Sequence, residues 1–215
     1  MFSHLHTHSH FSLLSGIPSP AQLVQRAAQL GMPALALTDH DRLTGAIEFY
    51  DACREAGIQP LIGLELRVAI FEKDSPPLIF LAMDLRGWTS LCCLSSLLLD
   101  SPAGPRASLA LDDVHQNSAG LLCLAGAGGW LANGSTAAPV DGASAEHSLG
   151  LLQDIFPGRL YLEMQATRPD GAGLAGLARL SQRLRIPAVG TGSVYYLQPE
   201  QQHLQELLSA IRLNT

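Results

Sequence analysis

Lysine is almost missing from these 215 residues. Of thirteen Lys and Arg residues only Lys73 is a lysine, and charged residues make up 15% of the chain, well under the roughly 25% usual in globular domains. With 19 acids the net charge is −6, which argues against a basic wrapper for nucleic acid and leaves room only for a local basic patch or for contact through a partner domain. No run approaches the roughly 18 consecutive apolar residues of a membrane-spanning helix. The opening MFSHLHTHSHFSLLSG has neither a basic n-region nor an apolar h-region, so it does not read as a signal peptide. The four cysteines, Cys53, Cys92, Cys93 and Cys123, show no Cys-x2-Cys pair. Cys92 and Cys93, within LCCLSSLLL, read as buried small hydrophobes. A reducing, cytoplasmic compartment is the simpler expectation. No Gly-x-Gly-x-x-Gly, Walker loop or nucleophile elbow is present, and no repeat or heptad.

What the chain does have is apolar material, 47% of it, enough to fill the core of one large domain. It also has a crowd of histidines at one end. Four of the eight, His4, His6, His8 and His10, fall in the first ten residues.

Short β-type runs alternate with helical segments, the signature of an α/β layer architecture. A first strand is expected over Phe2–Leu5. Ser19-Pro20-Ala21-Gln22 reads as a capping box, with Pro20 at N1 and Gln22 at N3. Leu23, Ala27 and Leu30 follow on one face, and Gly31 is placed to stop the helix. Pro33–Thr38 is a nearly all-apolar strand, as parallel sheets covered on both faces require. A helix over Thr44–Ala56 carries Ile47, Tyr50 and Cys53 or Arg54 at helical spacing, and Gly57 ends it. Ile58–Ala69 reads as a strand with a break at Gly63. Further strands are expected at Leu78–Met83, Leu121–Ala125, Arg159–Gln165 and Pro187–Thr191. Helices are expected at Trp88–Leu99, Leu109–Val114, Ser144–Ile155, Leu174–Leu184 and Glu200–Ile211, with a Gly-, Ala- and Ser-rich loop over Gly126–Ala143. Six or seven β-α units fit a closed or distorted barrel better than an open dinucleotide-binding sheet.

His6-Thr7-His8 lies just past the first expected strand. In extended chain, residues i and i+2 point the same way, so both imidazoles can face one centre. Imidazole is the usual neutral nitrogen ligand of zinc and a common one of manganese or iron. His40 follows the second strand and Glu65 stands in the third. In parallel α/β folds, sites collect at the carboxyl ends of strands, so these four groups can converge. Blander readings stand beside this one. His6 and His8 can form an exposed polar turn, and His4 can be an ordinary strand residue or orient a ligand from behind. His40, between Asp39 and Asp41, can belong to a helix cap. Glu65, a rare charge in an apolar strand, needs a cation or a hydrogen-bond partner. His115, His147 and His203 have no paired spacing and read as surface residues. Asp112-Asp113 read as a solvated helix start, and Trp88 and Trp130 as packing residues.

HLHTHSHFSLLSG and PALALTDHDRLTGAIEFYDACREAGIQPLIGLEL together resemble the polymerase-and-histidinol-phosphatase (PHP) domain found at the N-terminus of bacterial DNA polymerase III alpha subunits and their error-prone relatives. LIFLAMDLRGWTSL, GLLCLAGAGG and IPAVGTGSVYYLQPEQQHLQELLSAIRLNT extend the likeness more weakly. The resemblance implies a distorted seven-stranded (β/α) barrel, similar to a TIM barrel, that binds up to three metals. Residues 1–199 would form the PHP domain, and residues 200–215 a terminal helix leading towards a polymerase region not contained in this sequence. The ending AIRLNT fits a truncated chain. By position, His6, His8, His40 and Glu65 match metal ligands, with His4 and Asp39 as supporting groups behind them.

The resemblance also marks losses. Ser15 replaces an aspartate, and Pro77 opens a strand lacking its histidine. Ala127 stands in the place of a cysteine, and Ser193 and Tyr195 replace an Asp-x-His pair. Four ligands could still hold one Zn²⁺ or Mn²⁺, whereas multi-metal phosphoester hydrolysis needs more. The expected function is a degenerate PHP module supporting the polymerase catalytic region in cis. It would bind at most one divalent ion, meet DNA and replisome subunits only through the longer protein, and leave Mg²⁺-dependent synthesis to the missing domain. The competing expectation is an active metal-dependent phosphoesterase or 3′–5′ proofreading exonuclease.

Overall fold

The capping box is formed as read. Ser19 Oγ accepts a hydrogen bond from Gln22 N at 3.2 Å, and Gln22 Oε1 accepts one from Ser19 N at 2.9 Å. Helix α1 (Pro20–Gln29) buries Leu23, Val24 and Ala27. Leu30, expected on the same face, is instead the C-cap and is exposed. The structure is a computed structural model and describes residues 2–70, 77–102, 108–126, 142–165 and 174–214. Two compact units emerge, one of Met1–Leu64 with Gly192–Thr215, the other of Glu65–Thr191.

In the first unit β1 (Ala34–Leu37) pairs in parallel with the start of β2 (Gln59–Ala69), Leu37 standing opposite Ile62. β2 runs through Gly63 without the expected break. Leu23, Val24 and Ala27 pack with Leu35, Leu37, Phe49, Cys53 and Ile58 as one apolar cluster. Helix α2 (Ala46–Ala56) contributes Ala46, Phe49 and Cys53, while Ile47 and Tyr50 are exposed. Both sets have helical spacing and differ by one residue, a rotation of about 100°. Spacing alone does not choose between them; the fully buried Phe49 does. Gly57 closes α2 at φ 68°, a left-handed conformation that favours glycine. The last expected helix divides into a 3₁₀ turn at Pro199–Gln201 and helix α7 (Gln202–Leu213).

The expected first strand does not form. The chain bends at Leu5–His6 and makes a single parallel bridge, Thr7 to Val194. His4 O accepts from Ala36 N, and Thr7 O from Thr38 N, each at 2.9 Å. Three residues on one side thus span two on the other, which a regular ladder cannot accommodate.

In the second unit the far end of β2 pairs in parallel with the two-residue β4 (Leu109–Ala110). That short strand and helix α4 (Leu111–Gln116) replace the single helix expected over 109–114. β3 (Pro77–Ala82) and β5 (Leu121–Ala125) run antiparallel, a departure from the expected succession of β-α units. β6 (Leu160–Gln165) and β7 (Ala188–Thr191) then continue in parallel. Hydrogen bonding gives a seven-stranded order β1-β2-β3-β5-β6-β7, with β4 beside β2. The mixed α/β class and the strand number are those expected. The remaining helices are α3 (Leu85–Leu99), α5 (Gly142–Ile155) and α6 (Leu174–Leu184). Helix α3 buries Leu91, Leu94 and Leu98, a stripe that leaves Cys93 exposed and Cys92 half-buried. The expectation that both cysteines are core residues is therefore corrected. Gly87 lies so close to Gly120 that a Cβ on it would stand 2.2 Å from Gly120 O, which requires glycine there. Ala127 and Trp130, with nearly all of the expected Gly-rich loop, lie outside the described residues.

Candidate metal centre

Thr7 is the anchor of the histidine segment. Its N donates to Thr38 Oγ1 at 3.1 Å, its hydroxyl donates to Ala36 O, and its carbonyl accepts from Thr38 N. On the other side His8 N donates to Val194 O at 2.9 Å and Val194 N to His6 O at 3.2 Å. Thr7 is thereby fixed toward β1, and its neighbours His6 and His8 emerge together. Their ring centroids are 4.9 Å apart, and both rings are buried.

Asp39 holds the next turn of chain. Buried to 1% exposure, it accepts from Ser9 N at 2.7 Å and Ser12 Oγ at 2.6 Å on one oxygen, and from Ser9 Oγ at 2.7 Å on the other. Ser12 Oγ accepts in turn from His40 N at 3.1 Å. One carboxylate thus ties the His8 segment to the His40 segment, with its acceptors satisfied as burial demands. Gly16 completes the turn, since a Cβ on it would lie 2.1 Å from Ser9 O. Asp41 takes φ 63° and α2 is capped at Gly45, so Asp41 is not the cap of that helix.

Glu65 follows Leu64 on β2, three residues beyond the one paired with Leu37. His6, His8 and Glu65 each offer one ligand atom, and the three atoms lie within 4.8 Å of one another. Ligand atoms on a shared zinc stand at most about 4.2 Å apart, twice the Zn–N bond. Two imidazoles and one carboxylate suit a single borderline divalent ion. Among the described residues these three donors make an incomplete set, consistent with a single weak site.

His40 is outside that set among the described residues. Its ring stands 4.5 Å from that of His8, and its Nε2 is 3.3 Å from the Tyr195 hydroxyl. His4 turns away at the Leu5–His6 bend and lines a cavity of about 180 Å³ with Leu23, Ala27, Leu35 and Leu197. Burial pushes its imidazole below the ordinary histidine value. His10 is exposed against Phe11, and His115, His147 and His203 are exposed as expected. Of the positions read as lost ligands, Ser15 is buried with no hydrogen-bond partner for its hydroxyl among the described residues. Pro77 and Ser193 are half-buried, and Tyr195 lies in the histidine cluster itself.

Sequence reasoning missed one contact and one group. Tyr195 was marked only as the place of a lost ligand, and its stacking on His8 was not foreseen. Glu163, at 1% exposure, accepts from Thr191 Oγ1 at 2.5 Å. It is a lone charge in the apolar run LYLEMQ, the same signal that singled out Glu65.

The sequence profile of the PHP domain matches residues 4–167. Over 213 residues the chain is 33% identical to an error-prone DNA polymerase of Pseudomonas aeruginosa, covering 98% of this chain and 19% of that protein. It is 32% identical to the DNA polymerase III subunit alpha of Chlamydia trachomatis, covering 95% and 19%. It therefore spans about a fifth of the length of these relatives. Among solved structures it is similar to an amidohydrolase from Chromobacterium violaceum with bound sulfate and no metal, at TM-score 0.65 and 18% identity over 96% of both chains. A protein from Bifidobacterium adolescentis, described provisionally as a metal-dependent phosphoesterase, superposes at TM-score 0.66 and 16% identity, covering 92% of this chain and 89% of the other.

Proposed function

Because this chain belongs to the PHP domain family, we propose that it is the PHP module of a bacterial C-family DNA polymerase and acts chiefly as a structural support for the polymerase region in cis. The observation that carries this reading is the pairing of near-complete coverage by polymerase relatives with three converging donors among the described residues. On this reading residues 1–199 form the module, and 200–215 lead towards the polymerase region. DNA and any replisome subunits are met through that longer protein, in the cytoplasm, and the polymerase region uses its own Mg²⁺. Among the described residues no helix is long and apolar enough to cross a membrane.

His6, His8 and Glu65 would hold one Zn²⁺ or Mn²⁺, with His40 nearby and Asp39 keeping the two loops in register. Such an ion would supply Lewis-acid polarisation of a phosphoryl oxygen. The same three donors support a second reading, a metal-dependent phosphoesterase or 3′–5′ exonuclease. Against it stands the need for further positive charge on the leaving and non-bridging oxygens of a phosphodiester.

Metal analysis of the purified chain and of His8→Ala tests both. The structural reading expects at most one zinc per chain, lost in His8→Ala, and no hydrolysis of single-stranded DNA by either protein. Two or three tightly held ions, with nuclease activity abolished by His8→Ala, would establish the enzyme instead. Zinc uptake unchanged by His8→Ala would remove this metal centre from both readings.

A further inference from the structure

The rings of Tyr195 and His8 are parallel to within 6°, with centroids 4.2 Å apart. The Tyr195 hydroxyl lies 3.3 Å from His40 Nε2, and His40 packs edge-on against His8 at 4.5 Å. One phenol therefore engages two imidazoles at once. Its backbone leaves it little freedom to withdraw. Ile17 N donates to Tyr195 O at 2.9 Å, and the preceding residue, Val194, is bonded in both directions to the histidine segment.

His40 packs against His8, yet its Nε2 is engaged with the phenol. We infer that Tyr195 is an internal cap on the histidine cluster. Its ring covers His8, and its hydroxyl holds His40 back from an ion bound at His6 and His8, so the cluster of three imidazoles binds divalent metal with one fewer than it holds. The inference rests on the reading of His6 and His8 as metal ligands.

Tyr195→Phe keeps the stacked ring and removes the hydroxyl. Zinc affinity is read by competition with a chromophoric chelator, and the ligand set by the absorption spectrum of the Co²⁺-substituted protein. Releasing His40 is expected to tighten zinc binding about tenfold, the worth of one hydrogen bond exchanged for coordination, and to change the Co²⁺ spectrum. The double variant Tyr195→Phe/His40→Ala should lose that gain. His40→Ala alone should leave wild-type affinity within about twofold, because His40 is not a ligand while Tyr195 holds it. Unchanged affinity in Tyr195→Phe, or a tenfold loss in His40→Ala alone, overturns the cap. If circular dichroism shows that Tyr195→Phe does not fold, the His40→Ala arm decides. Absence of zinc from both wild type and Tyr195→Phe defeats the metal-centre reading and the cap with it. Zinc in the wild type with no gain in the variant defeats the cap alone.

Discussion

The two units treat buried polarity differently. In the first, eight polar side chains are buried among the described residues, and all come from two short stretches: His6, Thr7, His8, Ser9, Ser12 and Ser15, with Thr38 and Asp39. In the second there are four, Ser90, Ser95, Ser148 and Glu163, scattered over two helices and one strand. The interior of the second is instead apolar, with Phe80 and Phe156 at 5.8 Å and Leu78, Ile79, Leu121, Leu124 and Leu149 fully buried. Burying polar groups costs free energy unless each finds a partner. The first unit meets that cost largely through two sets of hydrogen bonds, Thr7 with Thr38 and Asp39 with Ser9 and Ser12. Such concentration is the mark of a site, whereas scattered and individually bonded groups mark a scaffold.

The largest effect is expected where the network has a single hub. Asp39→Ala strips the acceptor from Ser9 N, Ser9 Oγ and Ser12 Oγ together. At roughly 1.5–3 kcal/mol for each of three hydrogen bonds to a charged group, a loss on the order of 5–9 kcal/mol follows. Urea denaturation measures it, and zinc affinity should fall with stability, because the His8 and His40 segments lose their tie. A loss below about 1 kcal/mol would show that the hub is not holding the network.

Phe80→Ala probes the opposite regime. Phe80 is fully buried in the second unit, and truncating such a side chain costs about 3–5 kcal/mol through lost transfer energy and the cavity left behind. Here stability and metal binding should part company. Zinc affinity of the folded protein is expected to stay within about twofold of wild type, as for sites without shared partners. A parallel collapse of zinc affinity would erase the contrast between site and scaffold.

How much of this was legible follows the same division. Helix α6 was readable to the residue, because Leu177 and Leu180 keep one buried face of a strongly amphipathic segment. The capping box at Ser19 is local chemistry within four residues, and local chemistry is what a sequence displays. The side-by-side placement of His6 and His8 also follows from a period of two. The missed features depend on partners far along the chain. Tyr195 was marked as the place of a lost ligand, but its stacking on His8, across almost the full length of the sequence, was not legible. The antiparallel turn of β3 against β5 depends on how the segment between them runs, and β-type runs look alike in either direction. The choice of Phe49 over Ile47 was settled by what lay opposite on α1 and β1. Asp39 was singled out beside His40, but its bonds to Ser9 and Ser12 were not, since two serines in HSHFS are unremarkable until a carboxylate is brought to them.

The smallest effect separates a carboxylate in the network from one on the rim. Asp84, like Asp39, serves several donors: Arg86 N at 2.9 Å and Gly87 N at 3.0 Å at the start of α3, with the Arg86 guanidinium at 2.8 Å. Unlike Asp39 it is exposed. The hydrogen bond from the Arg86 side chain, followed by that from Gly87 N, holds its carboxyl below the ordinary carboxylate value. A carboxyl lowered on folding contributes stability above its unfolded pKa of about 4, and that contribution is lost as the pH falls through the lower folded value. Asp84→Asn should therefore flatten the melting temperature against pH slightly at the acid end and change little near neutrality. Screening by solvent keeps the effect small. An acid slope that Asp84→Asn leaves intact would mean that the N-cap takes no part in it. A slope cut as deeply as the loss in Asp39→Ala would mean that exposure makes no difference to what a multiply bonded carboxylate contributes, and the contrast between the two units would rest on their histidines alone.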